Sequence, residues 1–288
     1  MRSFIMELAR TGGALARKHF RSGISTVDRK GRGDYVSHVD RVVEEAITTR
    51  IHAHYPDHCI VGEEGQARWQ RRGTPDGPCW IIDPIDGTTN FLRGVAHFAI
   101  SIAFCDAHGD PKVGVVYDPM ADELFIAERG AGLWLGSERM YSSGCKDLEQ
   151  ALVATALPFR QMSTLTTAVE TLGSLQPKID DFRRSGSAAL DLAYVASGRL
   201  DAYYELGIWG WDVAAGELLV RSGGGMATDF DGDSESVLGR RSMIAAASPA
   251  LHQQLSEQLA ALLPLLHNGS YEETALTLHE QRRGNAGE

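Results

Sequence analysis

Cysteine is scarce in this chain. Four occur in 288 residues, Cys59, Cys79, Cys105 and Cys145, widely spaced and without a C-x-x-C. A chain this long buries enough apolar surface to do without disulfide staples, so reduced, mostly buried thiols are expected. Long apolar runs are missing too. No stretch approaches the ~20 apolar residues that a spanning helix needs, and the segment from Met1-Arg2-Ser3-Phe4 shows no cleavage signal. The expectation is a cytoplasmic protein with no membrane partner. Basic charge is outweighed: 28 Lys and Arg stand against 38 Asp and Glu, a net charge of -10. Counterion release from a phosphate backbone needs a basic surface, so direct nucleic-acid binding is not expected. The ten histidines form no metal-ligand pattern, since His52 and His54 lie two apart and point to different faces of a helix. No internal repeat is found. Gly223-Gly224-Gly225 lacks the Lys-Ser/Thr of a phosphate loop and closes a helix, so it reads as a turn.

What is present is an ordinary globular mixture, 43% hydrophobic and 23% charged, enough for a sizeable core. Helical spacing of Ile5, Leu8, Ala9, Gly12 and Leu15 predicts a helix over residues 3–20. A polar, Gly-rich mobile loop is expected over 22–35, and a second helix from about Ser37 or Val39 to His54, stopped by Pro56. Cys59-Ile60-Val61 and Trp80-Ile81-Ile82 read as strands, the latter ending directly at Asp83-Pro84. Strands near 97–105, 111–118, 122–128, 133–135 and 139–142 predict a twisted antiparallel sheet. From residue 147 strands and helices alternate, which argues for an α/β half. The expected organisation is an antiparallel α+β half over 1–146, an α/β half over 147–266 and a polar tail over 267–288.

The informative segment is Trp80-Ile81-Ile82-Asp83-Pro84-Ile85-Asp86-Gly87-Thr88-Thr89-Asn90-Phe91. A buried strand delivers two carboxylates, three residues apart, into a turn. Mg²⁺ is a hard ion that wants oxygen ligands, and Asp83, Asp86 and the Ile85 carbonyl are such donors. Gly87-Thr88-Thr89 opens a helix, whose free N–H groups can cradle an anion. Cation ligands and a phosphate cradle side by side are what metal-assisted phosphate hydrolysis requires. Taken alone, the segment is also good turn chemistry. Gly62-Glu63-Glu64 after a strand is equally a solvated loop, and Asp212 in Trp211-Asp212-Val213-Ala214-Ala215-Gly216 is equally a plain helix N-cap.

Together, in this order and at these separations, the three segments resemble the inositol monophosphatase family. Asp34-Tyr35-Val36-Ser37-His38-Val39-Asp40 is similar to the family's D-x-V-T-x-x-D element, with Ser37 where Thr is usual, a change that keeps the hydroxyl. Arg183-Arg184-Ser185-Gly186-Ser187-Ala188-Ala189 is similar to its R-x-x-G-[ST]-A-A element. The match runs from about residue 5 to residue 262, with the flavour of the bacterial inositol-1-monophosphatase type. The resemblance implies a layered α-β-α-β-α sandwich.

The resemblance also implies roles. Glu63, Asp83 and the Ile85 carbonyl would hold one Mg²⁺; Asp83, Asp86 and Asp212 a second; a third would share Glu63. Glu63 and the Thr88 hydroxyl would orient and deprotonate the attacking water, with Asp40 orienting Thr88. Gly87 and Thr88 would hold the phosphate. Asp86, Glu205, Asp212, the Gly186-Ser187-Ala188 backbone and Arg183 would face the alcohol half, with Ile85 in contact. Lys30 would ride on a lid. The implied substrate is inositol 1-phosphate or a related sugar or polyol phosphate, and the implied inhibitor is Li⁺ at the second metal. Rival substrates are histidinol phosphate, 3′-phosphoadenosine phosphate, fructose bisphosphate and NADP. A homodimer is implied, as is a second reading: a protein partner in bacterial ribosomal RNA transcription complexes.

Overall fold

A computed structural model describes residues 1–22, 27–31, 34–64, 77–158, 162–232 and 240–264. The chain opens with α1 (Arg2–His19), which buries Ile5, Leu8, Ala9, Gly12, Gly13 and Ala16 on one stripe. The strands β1 (Val27–Gly31) and β2 (Asp34–Ser37) follow, and then α2 (His38–His54). In α2, Val39, Val43, Ile47 and Ile51 recur every fourth residue and are all buried. Each such side chain contributes about 1.5–3 kcal/mol by leaving water.

The loop expected over 22–35 contains an antiparallel hairpin, β1 with β2, in register from Val27↔Ser37 to Gly31↔Asp34. Its segments, Val27-Asp28-Arg29-Lys30-Gly31 and Asp34-Tyr35-Val36-Ser37, show no sustained apolar alternation that would mark them as strands. The side chains of Lys30 and Ser37, and the tail from 267, lie outside the described residues.

Next come β3 (Cys59–Gly62), β4 (Cys79–Asp86), α3 (Thr88–Arg93), β5 (Ala99–Cys105), β6 (Pro111–Asp118), β7 (Glu123–Glu128), β8 (Gly132–Leu135) and β9 (Glu138–Met140). They form one seven-stranded sheet in sequence order. It is antiparallel except for β3, which runs parallel to β4. Strand β4 does not stop at Asp83, as expected from Pro84, but continues to Asp86. The register slips from Asp83↔Ser101 to Asp86↔Ala99, so Pro84 sits in a bulge where no ladder hydrogen bond is required of it.

The chain then crosses to a second, mixed sheet in the order β11-β10-β12-β14-β13. Its strands are β10 (Leu152–Thr155), β11 (Asp181–Arg183), β12 (Ala202–Trp209), β13 (Met226–Thr228) and β14 (Arg240–Ala246), interspersed with α4 (Met162–Leu175), α5 (Ala188–Ala196), α6 (Gly210–Ser222) and α7 (Pro249–Leu259).

Three cores define five layers. The α1–α2 layer packs Ile5, Leu8, Val43 and Ile47 against Trp80, Ile82, Ile100 and Val115 of the first sheet. The α5–α6 layer packs between that sheet and the second, with Leu192, Val213 and Leu219 meeting Ile81, Val116 and Phe125 on one side and Tyr203 and Met243 on the other. The far face of the second sheet carries α4 and α7, through Ala168, Leu251 and Leu255. This is the α-β-α-β-α sandwich of mixed α+β and α/β parts. Helix α6 is clamped on both sides: a Cβ at Gly216 would lie 2.5 Å from Leu192 Cδ1, and one at Gly114 would lie 3.1 Å from the Ala215 backbone.

Candidate metal centre

The parallel pairing of β3 and β4 ends with Gly62 opposite Ile82. The next residues, Glu63 and Asp83, therefore leave the two strands side by side, and the Glu63 N–H donates to the Ile82 carbonyl at 3.2 Å. Gly62 is the residue that fits there: a Cβ would meet the Glu44 carboxylate at 2.5 Å, and that carboxylate accepts the Glu64 N–H at 2.9 Å. So buried Glu44 of α2 clamps the Glu63-Glu64 turn.

The bulge at Pro84 aims both β4 aspartates toward α6. Asp83 Oδ1 accepts the Ile85 N–H at 3.0 Å. Asp212 is not the N-cap of α6. That position is Trp209, and Asp212 lies in the first turn, accepting the Trp209 N–H at 3.0 Å. Carboxylate oxygens of Asp83, Asp86 and Asp212 all lie within 4.8 Å of one another, and among the described residues this is the single such acidic, His or Cys group.

Both β4 carboxyls are held well above the ordinary Asp range. For Asp83 the cause is burial first, then the charges of Glu63, Asp86 and Asp212. For Asp86 it is burial, then Asp212, against the opposing pull of Ser187 and Ala189 hydrogen bonds. Three oxygen donors that repel one another in a buried pocket fit a hard divalent cation, which removes that repulsion. Glu63 stands outside the tight trio but close enough to act on Asp83.

Thr88 opens α3 behind Gly87, whose φ of 96° is left-handed. A Cβ at Gly87 would lie 3.2 Å from the Gly186 carbonyl and 3.2 Å from that of His97. The expected Gly87 and Gly186 elements thus abut. The Thr88 hydroxyl lies 3.1 Å from Asp40 Oδ1 and 3.1 Å from the Ile85 carbonyl, a donor with two acceptors. Asp40 is fully buried.

Ser187 caps α5 by accepting the Leu190 N–H at 3.4 Å, and its hydroxyl donates to Asp86 Oδ2 at 2.6 Å. Ala189, one residue beyond the expected Ala188, donates its N–H to the same oxygen at 2.7 Å. Glu205 accepts a short hydrogen bond from the Tyr203 hydroxyl. Arg183 is not brought to the trio. It binds Asp181 Oδ2 at 2.6 Å and the Phe182 carbonyl at 2.8 Å, with its side chain 51% exposed.

Sequence reasoning missed Asn90 and Asp191. The Asn90 amide donates to His97 O at 2.8 Å and Ser185 O at 2.9 Å, tying α3 to the 183–188 segment. Asp191, held up at about 7 by burial, accepts the Ser185 hydroxyl at 2.5 Å and feels the charge of Glu205. An Asp inside an apolar helix was the available signal. Trp209 and Trp211 stack at 4.8 Å, 10° from parallel, as a packing pair beside Asp212.

The model of the inositol monophosphatase family matches residues 1–264. Nus factor SuhB of Escherichia coli (strain K12) is 41% identical over 266 residues, covering 90% of this chain and 98% of that protein. The solved extragenic suppressor protein suhB of Bartonella henselae aligns with a TM-score of 0.82 at 34% identity, over 89% of this chain and 97% of that one. Inositol monophosphate-bound SaIMPase-II of Staphylococcus aureus aligns at 0.76 with 29% identity, over 97% and 98%.

Proposed function

Because the chain belongs to the inositol monophosphatase family, we propose that it is a Mg²⁺-dependent phosphomonoesterase releasing phosphate from inositol 1-phosphate and related sugar or polyol phosphates. The observation that carries this reading is the convergence of Asp83, Asp86 and Asp212, with the Thr88 hydroxyl bound to the carbonyl of Ile85, the neighbour of Asp86. The three carboxylates fit one Mg²⁺, which Asp83, Asp86 and Asp212 would hold, and Glu63, Asp83 and the Ile85 carbonyl would hold another. Glu63 would also serve a third. Bound there, Mg²⁺ supplies Lewis acidity at the phosphoryl oxygens and lowers the pKa of water.

The chain's own groups do the rest. Thr88 and Glu63 orient the attacking water and take its proton. Asp40 fixes the Thr88 hydroxyl, whose second acceptor is the Ile85 carbonyl. Gly87 and Thr88 hold the phosphate. The alcohol half faces Asp86, Asp212, Glu205 and the Gly186-Ser187-Ala188 backbone, and Arg183, held by Asp181 and the Phe182 carbonyl, would have to leave those partners to take part. An inositol monophosphate bound to a 29%-identical relative favours this alcohol class. The protein acts in the cytoplasm as a homodimer, and no helix of the described residues is long and apolar enough to cross a membrane.

The test is a panel of inositol 1-phosphate, histidinol phosphate, 3′-phosphoadenosine phosphate, fructose bisphosphate and NADP with the purified chain, titrated with Mg²⁺. Inositol 1-phosphate among the poorest substrates overturns the substrate assignment. Activity that persists in EDTA overturns the metal assignment, and full activity in tens of millimolar Li⁺ counts against the second Mg²⁺ site.

The name Nus factor SuhB, carried by relatives about two-fifths identical, favours a second, compatible reading: a protein-binding role in ribosomal RNA transcription complexes. Partners captured equally by the wild-type chain and by an inactive Asp83→Asn variant support it. Absence of any such partner removes it.

A further inference from the structure

Three of the four cysteines fall in one row across the first sheet. Cys59 opens β3, Cys79 opens β4 and Cys105 ends β5. Cys59 is the register partner of Cys79 in the parallel pair, and Cys79 is the register partner of Cys105 in the antiparallel pair. Register partners project to the same face of a sheet, so the three thiols share the face that carries Ile81 and looks toward α6. None of them touches the carboxylate trio, and the reading above uses none of them.

The three differ in setting. Cys59 lies on β3, the edge strand of the sheet, and is half-buried, whereas Cys79 and Cys105 are fully buried. The Cys79 side chain beside it holds Cys59 down to about 7, against the upward push of burial. Cys79 itself is pushed well up, first by Cys59 and then by burial, and its thiol donates to the Trp80 carbonyl at 3.6 Å. Cys105 is raised by burial, with Asp106 and Asp110 adding to it. One partly accessible thiol with thiolate character therefore sits against one buried, protonated thiol.

We propose that Cys59 and Cys79 form a reversible cross-strand disulfide when the protein meets a hydroperoxide. Neighbouring strands lie about 4.8 Å apart, inside the Cα separation of roughly 4.4–6.8 Å that a disulfide spans, so closure needs side-chain rotation rather than strand movement. The chemistry runs in two steps. The Cys59 thiolate attacks one oxygen of hydrogen peroxide; the S–O bond forms, the O–O bond breaks, and hydroxide leaves. The sulfur is oxidised to sulfenic acid and the peroxide reduced. The Cys79 sulfur then attacks the Cys59 sulfur. The S–S bond forms, the S–O bond breaks, and the Cys79 proton departs with the hydroxyl as water. A dithiol reductant returns both thiols. In a reducing compartment such a pair is transient, which matches a sensing thiol better than a structural staple.

The full chain is reduced, treated with hydrogen peroxide, capped with N-ethylmaleimide and digested with trypsin without reductant. The expected product joins peptide 51–68, which carries Cys59, to peptide 73–93, which carries Cys79, and dithiothreitol separates them. In Cys79→Ala, treated at alkaline pH because Cys59 loses the neighbour that holds it down, peroxide leaves Cys59 as a sulfenic acid that dimedone traps, and Cys59→Ser yields neither product. The wild-type map needs no variant to fold. Peptide 51–68 joined to the Cys105 or Cys145 peptide, or Cys59 still capped by maleimide after Cys145 has oxidised, overturns the proposal.

Discussion

The Ser187 hydroxyl donates to Asp86 Oδ2 at 2.6 Å, joining the first turn of α5 to the last residue of β4 across 101 residues of chain. The same oxygen atom of Ser187 accepts the Leu190 N–H. One side chain thus caps a helix and fixes a carboxylate of the proposed metal centre.

Ser187→Ala removes both functions. The lost cap costs about 1 kcal/mol, and the unfilled acceptor on buried Asp86 raises the total to about 1–3 kcal/mol. Urea unfolding in EDTA measures this directly. A parallel Mg²⁺ titration is expected to show weaker binding, because Asp86 loses a donor that holds it ionised and oriented. An Ala variant as stable as wild type, with unchanged Mg²⁺ response, removes the assigned double role.

Asp83→Asn is expected to abolish turnover yet stabilise the metal-free chain by about 0.5–2 kcal/mol, in the range of other stabilising substitutions. Asp83 and Asp86 have folded pKa values above their unfolded ones. Their contribution is therefore complete below the ordinary Asp value of about 3.9 and is lost as pH rises through the folded values. In EDTA, the melting temperature of wild type relative to Asp83→Asn should fall as pH rises toward 8. Added Mg²⁺ should reverse the order of the two proteins. A variant that melts below wild type at pH 8 in EDTA contradicts the buried-repulsion account.

Thr88→Val keeps the shape of the side chain and deletes the hydroxyl that Asp40 and the Ile85 carbonyl share. The expected loss in kcat is about 10²–10⁴-fold, the usual worth of a positioned proton-transfer group. Thr88→Ser should recover most of it. Asp40→Asn should fall between the two, since Asp40 orients Thr88 without replacing its hydroxyl. Equal kcat for Thr88→Val and Thr88→Ser would mean that the hydroxyl is not used.

Gly216→Ala tests the packing that carries Asp212. A Cβ there would lie 2.5 Å from Leu192 Cδ1 and 2.6 Å from its Cβ. Overpacking of this kind costs about 1–3 kcal/mol. Because Gly216 lies about one helical turn from Asp212 on α6, the Mg²⁺ dependence of activity should shift to higher concentration as well. Wild-type stability by denaturant titration would show that α5 and α6 have slack the distances do not suggest.

Much of this molecule was legible in the sequence because its signals are local. The spacing of Ile5, Leu8 and Ala9 wrote α1, and Asp83-Pro84-Ile85-Asp86-Gly87 marked the donor-rich turn. Other features depended on partners far away in the chain. Pro84 alone argued for the end of β4, and only the β5 ladder supplies the bulge that lets the strand continue to Asp86. Strands β1 and β2 carry no sustained apolar alternation, so their antiparallel pairing could not be read from the sequence. Asp212 could cap α6 by sequence, yet the extended backbone of Trp209 starts that helix earlier and leaves Asp212 in its first turn, facing β4. The residue types that can take a hard cation were thus set by the sequence alone. Whether three of them share one pocket was decided by tertiary structure, because only the close approach of α5 to α6, and of α6 to the first sheet, brings carboxylates so far apart in the chain within 4.8 Å.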